Sequence, residues 1–237
     1  MSHRVAPPAN VETAIGRHKF FILFSYLLIA LILYPYIKEG TFTYFVFRVV
    51  GSVGILVMLY AVSLRRTLLV VGLLLAIPAF FERMLLPRAN AGALSMLSIV
   101  LSFAFDTFVV ILIFRHVFTK EKPSSETVFG ALCIYLLIGF GFASLYGMVS
   151  AFQPRAFYLD PLTNLHATPD RFDYVYYSFA TMTSLGATGI TAVSNEARSL
   201  AIIETTLGVL YLAVLIARLI SAYRHPSAPA GEMPGEQ

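Results

Sequence analysis

Six long apolar runs dominate this chain and restrict its fold more than any other feature. Their lengths lie close to, or above, the roughly 17 to 25 residues that a helix needs to cross a lipid bilayer. The composition agrees, since 58% of the 237 residues are hydrophobic, 13% are charged and the mean hydropathy is +0.77. We therefore predict an all-α membrane protein with six transmembrane helices. The predicted helices cover residues 20–37, 44–64, 67–81, 93–114, 128–152 and 200–223.

The lysines and arginines between the runs indicate how the chain is oriented. They are more numerous in the segments that share a side with the two termini, and the positive-inside rule places that side in the cytoplasm. The orientation depends on residues 67–81, the shortest run, being a true span. The net charge of +4 reflects these flanking segments, so it predicts contact with anionic lipid headgroups and no nucleic-acid partner.

A charged segment with one proline and two serines divides the chain into two membrane units. The external linker of the second unit, residues 153–173, contains three prolines, so we predict that it is extended and irregular. The predicted units are a cytoplasmic tail at 1–19, a peripheral four-helix domain at 20–117, a cytoplasmic linker at 118–126, a helix, loop and helix unit at 127–223, and a cytoplasmic tail at 224–237.

A short polar segment lies between the last two apolar runs. Residues 171–182 are mostly apolar or aromatic and too short to span, so we predict a half-helix that enters from outside and stops partway. The hydroxyl- and glycine-rich residues 183–191 follow, and such a backbone at membrane depth must be buried in protein or line a water-filled cavity. The C-terminal end of the half-helix, with its negative dipole end and free carbonyls, favours a cation. The pattern predicts a re-entrant pore loop.

Two groups of residues in the last 96 positions before Arg224 carry a resemblance to a known family. They are Tyr176-Tyr177-Ser178-Phe179 with Thr181, Met182, Thr183, Gly186 and Ile190-Thr191, and then residues 197–201, Glu204, Gly208 and residues 210–219. These residues resemble the tetrameric potassium channel superfamily, in particular small bacterial potassium-channel-like proteins with four helices ahead of a two-helix pore module. The resemblance implies a pore domain at 127–223, with outer helix, pore helix, filter and inner helix. It also implies a homotetramer in the bacterial inner (plasma) membrane.

The predicted selectivity filter departs from the family pattern Thr-Val-Gly-Tyr-Gly-Asp. The ungapped match keeps the hydroxyl, the aliphatic residue and the first glycine, but changes the aromatic, the second glycine and the acid. Thr188 then stands where a positive φ is expected, which a β-branched residue disfavours. We expect a wider or more mobile outer filter with relaxed potassium selectivity. In an alternative register, a one-residue insertion makes Gly189 the second glycine. The candidate filter residues are Thr183, Ser184, Leu185, Gly186, Ala187, Thr188 and Gly189.

Other candidate site residues surround this loop. Asp173 and Glu196 form a ring of carboxylates at the pore mouth, or are solvated charges near helix ends. Glu204 lies behind the filter and is either a functional or a structural carboxylate. Gly208 is a hinge or a close-packing site of the inner helix. The last candidates either form an apolar constriction or take part in ordinary helix packing, and they are Leu212, Leu215 and Leu219.

Three functions follow from these features. The first is a homotetrameric cation channel in the lipid bilayer, with a permeant monovalent cation, K⁺ or also Na⁺, and no other metal or cofactor. The second is a non-conducting or regulatory pore-like subunit, which the threonine at position 188 favours. The third, an unrelated transporter or enzyme, is disfavoured because the sequence has no clustered catalytic groups. We therefore predict that the chain is not an enzyme.

Overall fold

The computed structural model describes residues 18–36, 53, 54, 57, 60, 70–77, 93–119, 125–164, 168–186 and 189–223. This part of the chain is mostly helical, and two three-residue strands form its small sheet. The second predicted span lies mostly outside the described residues, and so do both tails. The elements are α1 (Lys19–Leu33) with a 3-10 turn at Tyr34–Tyr36, α2 (Ala93–Thr119), α3 (Ser125–Phe152), β1 (Phe157–Leu159), α4 (Arg171–Met182), β2 (Ile190–Ala192) and α5 (Asn195–Tyr223).

Two of the helices are long and apolar enough to cross a membrane. These are α3, with 28 residues, and the segment Asn195–Ser221 of α5, with 27 residues. They contain the fifth and sixth predicted runs, so the sequence located both helices. Helix α5 begins earlier than the sixth apolar run because Ser194 caps it. The Ser194 hydroxyl accepts the Ala197 N–H at 3.2 Å. The six-span arrangement as a whole stays a prediction.

The helix α3 is the element around which the others pack. It contacts α1, α2, α4 and α5. Glycines allow two of these approaches, because a Cβ at Gly130 would lie 2.7 Å from the Val117 side chain of α2, and one at Gly139 would lie 2.8 Å from the Phe179 ring of α4. Small residues are the usual means by which apolar helices approach closely. The glycines of α3 therefore determine how near α2 and α4 can come.

The external linker contains a strand as well as irregular segments. Strand β1 pairs antiparallel with β2, with Phe157 opposite Ala192 and Leu159 opposite Ile190. The side chains of Phe157 and Leu159 are buried, whereas Tyr158 between them is exposed. Three residues of the linker are thus extended, although residues 171–173 at its end belong to α4. The sequence did not reveal the partner strand, because three residues are too few to show an alternating pattern.

Two neighbouring glycines of α3 provide a matched test of this packing. We expect Gly139→Ala to lower the free energy of unfolding by about 1–3 kcal/mol, because the new Cβ overlaps the Phe179 ring. Gly141→Ala is the control, since its Cβ would meet Phe103 at an ordinary 3.7 Å. That variant should gain up to about 1 kcal/mol from better helix propensity. Unfolding of the detergent-solubilised variants followed by circular dichroism measures both, and equal shifts would contradict the close approach at Gly139.

Candidate functional site

The start of α4 is fixed by two aspartates that cap it. The Asp170 carboxylate accepts the Phe172 and Asp173 N–H groups at 2.7 and 2.9 Å, and the Asp173 carboxylate accepts the Asp170 N–H at 2.7 Å. This reciprocal pair is a capping box, which satisfies otherwise free donors at a helix start. Asp173 therefore has a structural role, while Glu196 is exposed in the first turn of α5. Both predicted mouth carboxylates lie at helix N-termini, where the helix dipole favours negative charge.

The end of α4 closes on its own carbonyl groups. The Leu185 N–H donates to the Ala180 carbonyl at 2.8 Å, and the Ser184 N–H donates to the Thr181 carbonyl at 3.1 Å. Ser184 has a left-handed backbone, with φ of 57°. These features define a Schellman motif, which is the usual way for a helix to satisfy its last carbonyls. The expectation that free carbonyls at this end attract a cation is therefore wrong for Ala180 and Thr181, whose carbonyls are already bonded. Only the helix dipole still favours a cation there.

The loop after α4 lies on the surface of the protomer. Thr183, Ser184, Leu185 and Gly186 are all exposed, and the apolar side chain of Leu185 is 69% exposed. Gly186 has a φ of +74°, and no atom lies within 4 Å of the place where a Cβ would stand. The next two predicted filter residues, Ala187 and Thr188, lie outside the described residues. Hydroxyl and backbone groups are thus presented to whatever adjoins this face.

The loop ends at Gly189, which the external linker holds. The Gly189 carbonyl accepts the Asp160 N–H and the Asn164 Nδ2 amide, each at 2.8 Å. Its φ is +71°, and a Cβ there would lie 2.3 Å from Thr163 Oγ1. Sequence reasoning overlooked Asp160 and Asn164 as site residues. The sequence did indicate a turn here, because aspartate and asparagine are frequent in turns and both lie near Pro161.

The strand that follows the loop is held from two further sides. The Arg198 Nε–H donates to the Ala192 carbonyl at 3.2 Å. The Tyr177 phenol hydrogen-bonds to the Thr181 side chain and to the Ala192 backbone. It therefore connects α4 to the end of β2. The exit of the loop is attached to α4, to α5 and to the linker.

Glu204 joins three helices behind the loop. Its carboxyl group is fully buried, although it belongs to α5, a helix with little buried surface. The Tyr146 hydroxyl of α3 donates to Glu204 Oε2 at 2.5 Å, and the Ser178 hydroxyl of α4 bonds to Glu204 Oε1. Ser178 also donates to the Gly139 carbonyl of α3 at 2.7 Å. The structural alternative for Glu204 is thus the one that its contacts support.

The number of hydrogens in this network constrains its protonation. Three contacts link Tyr146, Ser178, Glu204 and the Gly139 carbonyl, and each needs one hydrogen. The two hydroxyls supply one hydrogen each, and a carbonyl oxygen supplies none. The network is complete when the Glu204 carboxyl carries the third hydrogen. A neutral acid also avoids the large cost of burying an unpaired charge.

Aromatic rings surround this network on the side of the linker. Tyr146 packs edge-on against Tyr177 at 5.0 Å and against Phe157 at 5.5 Å, measured between ring centroids. Phe157 in turn meets Tyr174 at 5.4 Å. Such tilted pairs stabilise beyond the area they bury. The cluster connects α3, α4 and β1 and keeps the half-helix at a fixed distance from the linker.

The helix α5 uses one narrow stripe for contacts within the protomer. Glu204, Gly208 and Leu215 are buried on this stripe. A Cβ at Gly208 would lie 2.6 Å from the Met182 carbonyl, so Gly208 is a close-packing site against the end of α4. Leu215 lies in the core and Leu219 packs against it, which supports ordinary helix packing over an apolar constriction for these two leucines. Leu212 is 38% exposed.

No protein family matches the chain, and no curated protein or solved structure is significantly similar to it. Within the described ranges, no group of three or more His, Cys, Asp or Glu side chains is arranged to hold a metal ion. Besides hydroxyls and backbone groups, the site includes the capping carboxylates of Asp170 and Asp173, the Asp160 carboxylate in the linker turn and the buried Glu204 carboxyl.

Substitution of Glu204 tests the network. We expect Glu204→Ala to lower the free energy of unfolding by about 3 kcal/mol or more, because the buried Tyr146 hydroxyl loses its partner and Ser178 keeps only the Gly139 carbonyl. Glu204→Gln should stay within about 1 kcal/mol of the wild type, since its amide accepts from Tyr146 and donates to Ser178 as a neutral acid does. Denaturant unfolding of the purified variants decides between them. If Glu204→Gln proved as unstable as Glu204→Ala, the neutral form would be wrong.

Proposed function

We propose that this chain is one subunit of a homotetrameric cation channel in a lipid bilayer. The observation that carries the proposal is the half-helix α4, which ends against α5 and holds an exposed hydroxyl- and glycine-rich loop. Both neighbours of this half-helix, α3 and α5, are long and apolar enough to cross a membrane. An irregular backbone beside such helices needs a water-filled cavity or a protein environment. A central pore supplies both.

The exposed surface of α5 supports assembly from several copies. Its apolar side chains outside the buried stripe are exposed, among them Ile202, Val209 and Ile216 at 69%, 53% and 55%. In the proposed tetramer, lipid and the other subunits cover this surface. One protomer presents residues 183–186 on a single face, so it provides only one wall of a pathway. Closed rotational symmetry with the loop at the axis completes the wall.

The backbone at Gly189 bears on how the filter is aligned with the resembled family. A φ of +71° is what the second filter glycine needs, whereas the Cβ of an aspartate there would lie 2.3 Å from Thr163 Oγ1. The positive φ at Gly189 therefore favours the register with a one-residue insertion over the ungapped match. The Gly189 carbonyl is also satisfied by the linker, so the ion ligands in this proposal come from residues 183–188. A shorter column of ligands supports K⁺ conduction with relaxed selectivity against Na⁺.

The proposed arrangement in the membrane follows the sequence. Six helices cross the bacterial inner membrane, both termini lie in the cytoplasm, and the Asp160–Asn164 turn faces outward. A second candidate is a non-conducting, pore-like subunit that regulates a partner. The occupied Gly189 carbonyl favours it, because it removes one ring of potential ion ligands. Conduction separates the two candidates.

Ion flux is the direct measurement. We expect liposomes reconstituted with the purified protein to take up K⁺ and, more slowly, Na⁺, while a large organic cation is excluded, because the ligand ring is narrower than that ion. The control is Leu185→Pro, which removes the amide hydrogen bonded to Ala180 and should abolish flux without touching the Glu204 network. An absence of flux for all three ions in the wild type would contradict the channel and favour the non-conducting subunit.

Two engineered loops test the register. A double change, Ala187→Tyr with deletion of Thr188, restores the family pattern around Gly189 if the insertion register holds, so it should raise the K⁺-to-Na⁺ flux ratio. The triple change Ala187→Tyr, Thr188→Gly and Gly189→Asp restores the ungapped pattern. We expect it to lose assembled protein, because a side chain at Gly189 collides with Thr163. Sharper selectivity in the triple variant than in the deletion variant would reverse the assignment. Native gel mobility and flux provide the readouts.

A further inference from the structure

The Gly189 carbonyl oxygen is fully occupied by the external linker. The Asp160 N–H and the Asn164 Nδ2 amide both donate to it at 2.8 Å. A carbonyl oxygen has two lone pairs, so these two donors satisfy it. Gly189 also lacks space for a side chain, because a Cβ would lie 2.3 Å from Thr163 Oγ1. The direction of the chain leaving the loop is therefore set by a turn 25 residues earlier.

The turn that makes these contacts is itself closed by hydrogen bonds. Asp160 Oδ1 accepts the Leu162 N–H at 3.0 Å, and the Asp160 carbonyl accepts the Asn164 N–H at 3.1 Å. The Asn164 Nδ2 amide also donates to the Asp160 carbonyl at 2.9 Å. Both of its close partners, the carbonyls of Asp160 and Gly189, can only accept, so the nitrogen of this amide must face them. One side chain thus closes the turn and binds the loop exit.

We propose that Asn164 is a positioning residue for ion selectivity, and this proposal rests on the channel function proposed above. Its amide fixes the peptide plane at Gly189. The Gly189 φ of +71° sets how the preceding peptide group is turned against this plane, so any tilt of the plane is passed on to the loop carbonyls before it. Selective binding of an ion requires that these carbonyls keep a defined spacing. The linker turn, rather than a group within the loop, supplies that constraint from outside.

Three variants separate the role of this amide from general effects. Asn164→Ala removes both hydrogen bonds, and Asn164→Asp places a carboxylate oxygen against two carbonyl oxygens. The control is Leu162→Ala, in the same turn, because the Leu162 side chain is 94% exposed and only its backbone joins the turn. Full-length protein in liposomes is assayed for the K⁺-to-Na⁺ permeability ratio. Hydrogen–deuterium exchange followed by mass spectrometry reports the Asp160 N–H directly.

We expect faster exchange at Asp160 in both Asn164 variants, by at least about tenfold, the factor for two lost hydrogen bonds of usual strength. The permeability ratio should move toward one in the same two variants, and Leu162→Ala should change neither quantity. Faster exchange with an unchanged ratio would overturn the positioning role. A wild-type ratio already at one would do the same.

Failure of this inference is distinguishable from failure of the channel function. Wild-type protein that conducts no ion removes the channel, and selectivity with it, whereas the exchange measurement still reports whether the Asn164 contact exists. If neither Asn164 variant folds, the exchange rate of the Asp160 N–H in the wild type is the remaining test of the contact. An Asp160 N–H that exchanges as fast as a free amide would show that the turn does not hold Gly189, and the proposal would be wrong.

Discussion

The rest of this structure depends on how α4 ends, because the last carbonyl groups of a helix need hydrogen-bond donors. In α4 the Schellman motif at Ser184 and Leu185 does this for Ala180 and Thr181. Because these carbonyls are satisfied locally, the chain can turn away immediately and expose residues 183–186. A helix with open carbonyls would need other donors there, and the loop would have to fold back to supply them.

Two attachments of different kinds hold the exposed loop. On the inner side, the Glu204 carboxyl is buried among Tyr146 and Ser178, and this fixes α5 to α3 and α4 by contacts with no exposure to water. On the outer side, Asn164 holds Gly189 through a part-buried hydrogen bond. Buried networks are costly to break, whereas hydrogen bonds near the surface compete with water. The buried attachment at Glu204 is therefore the harder of the two to break.

The sequence predicted those parts of the fold that local pattern determines. Two long apolar runs identified α3 and α5, and a short aromatic run between them identified α4 within its observed bounds. The bond between Gly189 and Asn164 could not be predicted, since it joins segments 25 residues apart and depends on the path of the linker. Whether Leu215 lines a constriction or packs inside the chain was left open for a similar reason. Helical spacing shows which residues share a face, but not what that face meets.

The contacts of α5 also explain where its remaining surface points. Glu204 and Gly208 hold its first half against α4, and the Tyr211 hydroxyl donates to the Ala131 carbonyl of α3 at 2.6 Å. Farther on, the Arg218 guanidinium lies 4.6 Å from the centre of the Phe118 ring of α2. Each contact lies on the same side of the helix, and the apolar side chains of Ile202, Val209 and Ile216 on the opposite side are exposed. The described residues leave this face open, as expected of a helix face that contacts lipid or a neighbouring subunit in the proposed channel.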